Sequence, residues 1–413
     1  MSKKTRAATG AVSLIAGLSL TLGGCSGQGR YTREAVSQAE EKMSVIKAGT
    51  EWKMGEQAFL AGDLEKALRR VDASLSLNDT VTKSHVLRGR VLLEQGDLGE
   101  SLMALKTAEA LDPEDADAQY YLGIVHERLS ETEVAMKHYR LASERDGHNP
   151  DYAVAAAEMM IDLGMLGEAK AYLTGGPTFE HAPGVRQALG HIARIEGDPE
   201  AAVGHFAEAR LLAPEDSAIL EDLVRAQMAV GDFGDAESNI VRLIAKAGDE
   251  ERRDLVHMRA RCLTHLGRPV EARDAFRELT ADAIGQNDVA AWIGLGEVST
   301  VIRDERGLRR AASRVVALAP SRPEGYTLWA IAYRQAGDPQ KALSSIERAL
   351  ALAPTDAAGH AFRGLVLSDL GRETDAQRAF AAAVQNDPQT AKYRTLLSHA
   401  QQGRVVGVPA TTE

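Results

Sequence analysis

Residues 84–113 read SHVLRGRVLLEQGDLGESLMALKTAEALDP, and this stretch decides the fold. In its first half Val86, Gly89, Leu92 and Leu93 fall three and four residues apart, as do Leu102, Leu105 and Ala108 in its second. That is the spacing of two amphipathic helices. Between them, Gln95-Gly96-Asp97 supplies a glycine that can end one helix in a left-handed conformation and an aspartate that can cap the next. Leu111-Asp112-Pro113 then stops the second helix, because the residue before a proline is driven out of the helical region. The stretch is a helical hairpin.

Working outward, the hairpin recurs. A first series of mostly small residues runs Gly55, Gly89, Gly123, Ala157, Gly190, Val224, Ala260, Gly296, Ala330, Gly364. A second runs Ala67, Ser101, Ala135, Ala169, Ala202, Ala236, Ala272, Leu308, Ala342, Ala376. Both advance in step by 34, 34, 34, 33, 34, 36, 36, 34 and 34 residues, which is the mark of an array of identical supersecondary units. The glycine–aspartate turn returns at Gly62-Asp63, Gly197-Asp198, Gly231-Asp232 and Gly337-Asp338, with Pro199 and Pro339 at the first helical position. Proline stops return at Pro214, Pro320, Pro354 and Pro388.

In this order, small–small–bulky–small–Pro, the signature resembles the tetratricopeptide repeat. The bulky members are expected from Tyr139, Phe206, Phe276 and Phe380, filling gaps between successive hairpins. The resemblance covers about Ala48 to Gln389 and implies an all-α, right-handed superhelical solenoid of about ten helical hairpins. Two units depart from it. Gly175, Gly176 and Pro177 shorten the fourth unit's second helix, and in the eighth Leu308 and Arg303 replace the small residue and the turn glycine.

The organisation expected is a leader over 1–24, a tether or helix over 25–47, and repeat units one to four over 48–174. Units five to ten follow over 175–389, then a capping helix over 390–402 and a disordered tail over 403–413. A break is placed at Gly175–Gly184, where glycines and two prolines interrupt the pattern.

The leader has Lys3, Lys4 and Arg6, an apolar small-residue stretch from Ala7 to Leu22, then Leu22-Gly23-Gly24-Cys25. It resembles the lipobox of bacterial lipoproteins, which implies cleavage before Cys25 and lipidation of its sulfur. Ser26, rather than Asp, implies in many Gram-negative hosts an outer-membrane lipoprotein facing the periplasm. The formal charge is −11, more negative still once the leader's cations leave, which argues against nucleic acid as a partner.

No zinc helix, nucleophile elbow, phosphate loop or paired-cysteine motif occurs, so neither an enzyme, a cofactor, a metal nor a small-molecule substrate is expected. Gly294 and Gly296 imitate part of a dinucleotide fingerprint, but they lie in register with the repeat's small residues. Cys262 reads as a buried, inert thiol, and His257, Cys262 and His265 are not spaced to share one helical face.

In tetratricopeptide proteins the first helix of each hairpin lines the ligand groove. By register the middle units place His191, Arg194, Arg225, His257, Arg261 and His265 there, a basic strip suited to an acidic peptide or helix segment unless nearby acids pair with it. The function expected is therefore a lipid-anchored protein–protein interaction scaffold. Its resemblance to tight-adherence and type IV pilus assembly lipoproteins would make secretin or pilus components its partners. An adaptor for cell-wall or exopolysaccharide enzymes is the alternative, and an enzyme with an unrecognised groove site a remote one.

Overall fold

The computed structural model describes residues 30–175, 181–248 and 252–403, with side chains from Glu34 onward. The leader with Cys25, residues 176–180 of the Gly175–Gly184 break, and 404–413 of the tail lie outside the described residues. Those described form α-helices, with a short 3-10 turn at Gly285–Asn287, and no strand. The chain divides into two compact units, before and after residues 146/147.

The first unit holds three hairpins: α1 (Arg30–Leu60) with α2 (Leu64–Leu77), α3 (Thr82–Gln95) with α4 (Leu98–Leu111), and α5 (Ala116–Arg128) with α6 (Thr132–Arg145). The boundary at 47/48 falls inside α1, because nothing between Tyr31 and Leu60 breaks a helix. The hairpin contact begins near Ser44, whose hydroxyl donates to the Leu77 carbonyl at 2.6 Å.

Seven hairpins make the second unit. They are α7 (Pro150–Asp162) with α8 (Leu166–Thr174), α9 (Pro183–Glu196) with α10 (Pro199–Leu212), and α11 (Ser217–Val230) with α12 (Phe233–Ala247). After them come α13 (Arg253–His265) with α14 (Pro269–Leu279), α15 (Val289–Val301) with α16 (Glu305–Leu318), and α17 (Pro323–Gln335) with α18 (Pro339–Leu352). The last is α19 (Ala357–Asp369) with α20 (Glu373–Asn386), and α21 (Ala391–Gln401) packs on α20. Although α8 is short, both α7 and α8 pack on α9, which keeps the fourth hairpin with those after it.

The small residues have a specific steric partner. A Cβ on Gly89 would stand 2.5 Å from Leu105, on Gly123 2.5 Å from Tyr139, on Gly190 2.6 Å from Phe206, and on Gly364 2.5 Å from Phe380. Each bulky residue lies in the second helix of the same hairpin, sixteen positions on. Tyr139, Phe206 and Phe380 thus fill the notch within their own hairpin rather than a gap between hairpins, since the glycine leaves the only space a ring can enter as the two helices cross.

Phe276 differs in that its ring meets Gly294 of the next hairpin, where a Cβ would stand 2.3 Å from it. The eighth hairpin, whose sixteenth-on residue is only Ala312, borrows Leu328 from the ninth to fill the notch at Gly296. Together with buried Trp292 and Leu308 these residues belong to one apolar cluster spanning hairpins seven to nine.

Every turn within a hairpin uses a left-handed residue. Eight are glycines with φ between +67° and +86°, and the other two are Ser130 at +62° and Arg303 at +59°. The aspartates after them cap unevenly: Asp63, Asp198, Asp304 and Asp338 accept a backbone N–H, whereas the Asp97 and Asp232 carboxylates do not, contrary to the sequence expectation.

Two predictions test this packing. Gly190→Ala is expected to cost about 1–3 kcal/mol by overpacking against Phe206, while Gly204→Ala in α10, where nothing lies within 4 Å, gains about 0.5–1 kcal/mol of helix propensity. Urea denaturation midpoints of the two variants should move in opposite directions. Replacing Ser130 by glycine removes a left-handed side chain and is expected to raise stability by about 1 kcal/mol, measured the same way.

Candidate functional site

The groove positions follow from the hairpin itself. Once the second helix is committed to the notch partner, the first helices α9, α11, α13, α15, α17 and α19 present the residues of one register toward a common face. His191, Arg194, Arg225, His257, Arg261 and His265 all sit on these helices. The second unit brings four of them against carboxylates or rings.

His191 Nε2 donates to Asp222 Oδ2 at 3.2 Å, and its ring meets Phe206 edge-on at 5.1 Å. Arg225 bonds Glu221 at 3.0 Å and Asp222 at 3.2 Å on its own helix. His257 Nε2 donates to Asp288 Oδ2 at 2.9 Å, and His265 stacks on Phe233 with ring centroids 4.1 Å apart. Arg194 and Arg261 are exposed and form no ion pair among the described residues.

The strip is therefore a row of charges answered largely by this chain's own acids. Two histidine rungs, His191 to Asp222 and His257 to Asp288, join consecutive hairpins across 31 residues. Burial pushes Asp222 up, but bonds from His191 and Gln187 and the nearby Arg225 outweigh it, so its carboxyl stays below the usual range. Asp288 behaves alike: burial raises it, and the Ala291 N–H and His257 bring it below normal.

Cys262 is fully buried, and burial first, then the charge of Glu237, pushes its thiol up to about 11, so it is no thiolate at neutral pH. His257, Cys262 and His265 are each engaged separately. Among the described residues no group of three potential ligands could hold a metal ion, and no helix is long and apolar enough to cross a membrane.

The open space lies further along the same face. Two adjoining cavities of about 540 Å³ and 330 Å³ are formed by α15, α17 and α19 and share Thr300 and Ile331. Ile293, Leu328 and Phe362 supply apolar lining, with Arg303 and Arg334 in the larger cavity and Glu297 and Glu324 in the smaller. Arg334 is held by Asp369 through two bonds of 2.5 and 3.2 Å.

Glu297 is open to solvent on one side. Even so, the surrounding protein and the like charge of Glu324 raise its carboxyl above the ordinary range, against a partial pull from Arg261. The first unit has its own cleft of about 190 Å³ between α1, α3 and α5, where the Arg90 guanidinium sits between the Phe59 and Tyr121 rings at 4.9 and 4.8 Å.

These lining residues were readable by register and passed over. Carrying Arg261 forward by 36 and then 34 residues lands on Glu297 and Ile331. Selecting groove positions for positive charge favours hairpins five to seven, where the face is closed by ion pairs, over hairpins eight to ten, where it is open.

Comparison with known proteins agrees with the hairpin geometry. One tetratricopeptide-repeat family model matches residues 86–150 and 221–289, and a second matches 333–400. No curated protein sequence matches the chain. Among solved structures, the chain is similar to Pseudomonas aeruginosa pilF at 18% identity and TM-score 0.42, covering 48% of this chain and 90% of that one.

A thermophilic tetratricopeptide-repeat protein from Thermus thermophilus is 20% identical with TM-score 0.38, covering 44% of this chain and 99% of that one. A tetratricopeptide repeat protein from Parabacteroides merdae is 16% identical with TM-score 0.44, covering 56% and 92% respectively.

The raised Glu297 carboxyl sets a pH dependence. The folded state holds this proton more tightly than the unfolded chain, so ionisation weighs against folding once the pH exceeds the unperturbed value of about 4.3, fully so above the folded pKa. Glu297→Gln is accordingly expected to raise the denaturation midpoint at pH 7, with the difference vanishing below about pH 4.

Proposed function

We infer, from a chain built of tetratricopeptide repeats, that its work is to hold other proteins rather than to transform a substrate. Such repeats are protein-interaction scaffolds, and the cleft of hairpins eight to ten is the observation that carries the reading here. It is an open face with an apolar floor and fixed polar groups, the make-up of a site that orients a bound segment.

The anchoring belongs to the same proposal and rests on the sequence. The basic, apolar and Leu22-Gly23-Gly24-Cys25 regions support a lipoprotein whose acylated Cys25 tethers the array to the outer membrane, facing the periplasm. An acidic chain gains little from anionic lipid headgroups, so the covalent anchor would supply the membrane attachment. The process proposed is assembly of a pilus or secretion complex of the envelope, with secretin or pilus subunits as the proteins held.

In-cell crosslinking and pull-down from the native envelope, with the lipidated protein beside Cys25→Ala and Ile331→Glu, tests the proposal. Secretin or pilus subunits are expected with the parent protein. They are expected to be lost with Cys25→Ala, and reduced at least fivefold with Ile331→Glu while the helical circular dichroism is kept. Recovery of wall or polysaccharide enzymes instead would transfer the scaffold to that process. Identical fractionation and capture by Cys25→Ala would overturn the anchor.

A further inference from the structure

The cleft of hairpins eight to ten has two charged groups that no ion pair, hydrogen bond or helix end of the described residues answers; Glu305 of the larger cavity lies in the first turn of α16, where the helix dipole favours an acid. The first is Arg303. Every other hairpin turn places glycine or a small serine in the left-handed conformation, whereas here a long cation holds φ +59°. Arg303 lines the larger cavity, is exposed and makes no ion pair among the described residues, unlike its neighbour Arg334, which Asp369 holds. A strained backbone kept where glycine would relieve it directs attention to the side chain.

The second is Glu297, six residues earlier in the smaller cavity. The other two acids lining that cavity are occupied: Glu324 accepts from Arg322 at 2.5 Å, and Asp356 caps α19 through the Ala358 N–H at 3.0 Å. Glu297 forms no ion pair or hydrogen bond among the described residues, the charge of Arg261 acting on it only from a distance. Ile293, Leu328 and Ile331 line its cavity, and Ile331 continues into the one that Arg303 and Phe362 line. A carboxylate without a bonded partner, an apolar floor and a guanidinium without one follow one another along the face.

Resting on the scaffold reading of this cleft, the geometry points to a partner segment of one chemistry: a stretch in the polyproline-II conformation carrying a basic and an acidic residue separated by two apolar ones. The basic side chain pairs with Glu297, the acidic one with Arg303, and the two apolar residues flank that edge against the Ile331 floor. Six residues of helix and turn separate the two charges by roughly 9 Å. Three residues make one turn of a polyproline-II helix and advance it by roughly 9 Å, which returns the side chain to the same side, so both pairs form together.

Charge-assisted bonds to both groups fix register. A cation beside Glu297 also counters by its charge the Glu324 repulsion that helps hold its carboxyl high. In hairpins five to seven, by contrast, His191, Arg225 and His257 already bond this chain's own carboxylates.

Four fluorescein-labelled peptides with capped ends and common flanks test the inference against the full chain by fluorescence anisotropy at low salt. Their centres read lysine–leucine–leucine–glutamate, lysine–leucine–leucine–lysine, glutamate–leucine–leucine–glutamate and glutamine–leucine–leucine–glutamine. The lysine–glutamate peptide is expected to bind tightest, by about tenfold over each of the others.

Glu297→Lys is expected to move the preference to the glutamate–glutamate peptide, and Arg303→Glu to the lysine–lysine peptide. Both residues are exposed, and unchanged circular dichroism would verify the fold of each variant. A rank order unaltered by either reversal, or no peptide binding better than the glutamine one, would overturn the inference. If Ile331→Glu still loses the envelope partner in that case, the scaffold reading stands without this charge pattern.

Discussion

The close crossing of two helices at a residue without a large side chain is the constraint on which the rest of this structure depends. At Gly89, Gly123, Gly190 and Gly364 a methyl group would stand 2.5 or 2.6 Å from the side chain opposite. The notch fixes where the second helix lies, because only one position on it, sixteen residues on, carries the side chain that fits. The left-handed turn then has to reverse the chain in two or three residues, and all ten hairpins accept that conformation, two of them without glycine. Interiors packed to this density leave little freedom to slide, so each hairpin is a rigid piece.

Rigid pieces with one helix committed inward leave the other helix to face a ligand. That division explains why the clefts of both units are lined by first helices. It also explains the charge rungs: a residue of one first helix comes within bonding distance of one in or capping the next, 31 positions on, as His191 meets Asp222 and His257 meets Asp288. Where the histidine rungs form, the face is closed. Between hairpins eight and ten the described residues form no histidine rung, and Leu328 of the ninth reaches across to Gly296 of the eighth, as Phe276 of the seventh reaches to Gly294 beside the His257 rung.

The fold was legible in the sequence because its determinants are local and periodic. Two locked series of small residues, turn glycines and stop prolines each report on a few neighbouring residues. Ser130 escaped because a left-handed turn was recognised there only by its usual residue, not by its place in the period. The direction of Tyr139, Phe206 and Phe380 escaped as well, since a period shows that a bulky residue recurs but not which neighbour it meets. The candidate site was half legible. Register put the right helices on the face, but whether a cation is free or paired depends on Asp222, Glu221 and Asp288, which lie up to a repeat away.

A double-mutant cycle on Gly364 and Phe380 tests the central constraint most directly, with Gly364→Ala, Phe380→Ala and the pair compared by urea denaturation. If the notch governs the hairpin, the alanine at 364 is destabilising opposite phenylalanine and much less so opposite alanine. The expected coupling is about 1 kcal/mol or more. Additive effects of the two substitutions would contradict the account, because glycine and ring would then contribute independently and the close crossing would not be what holds the helices together.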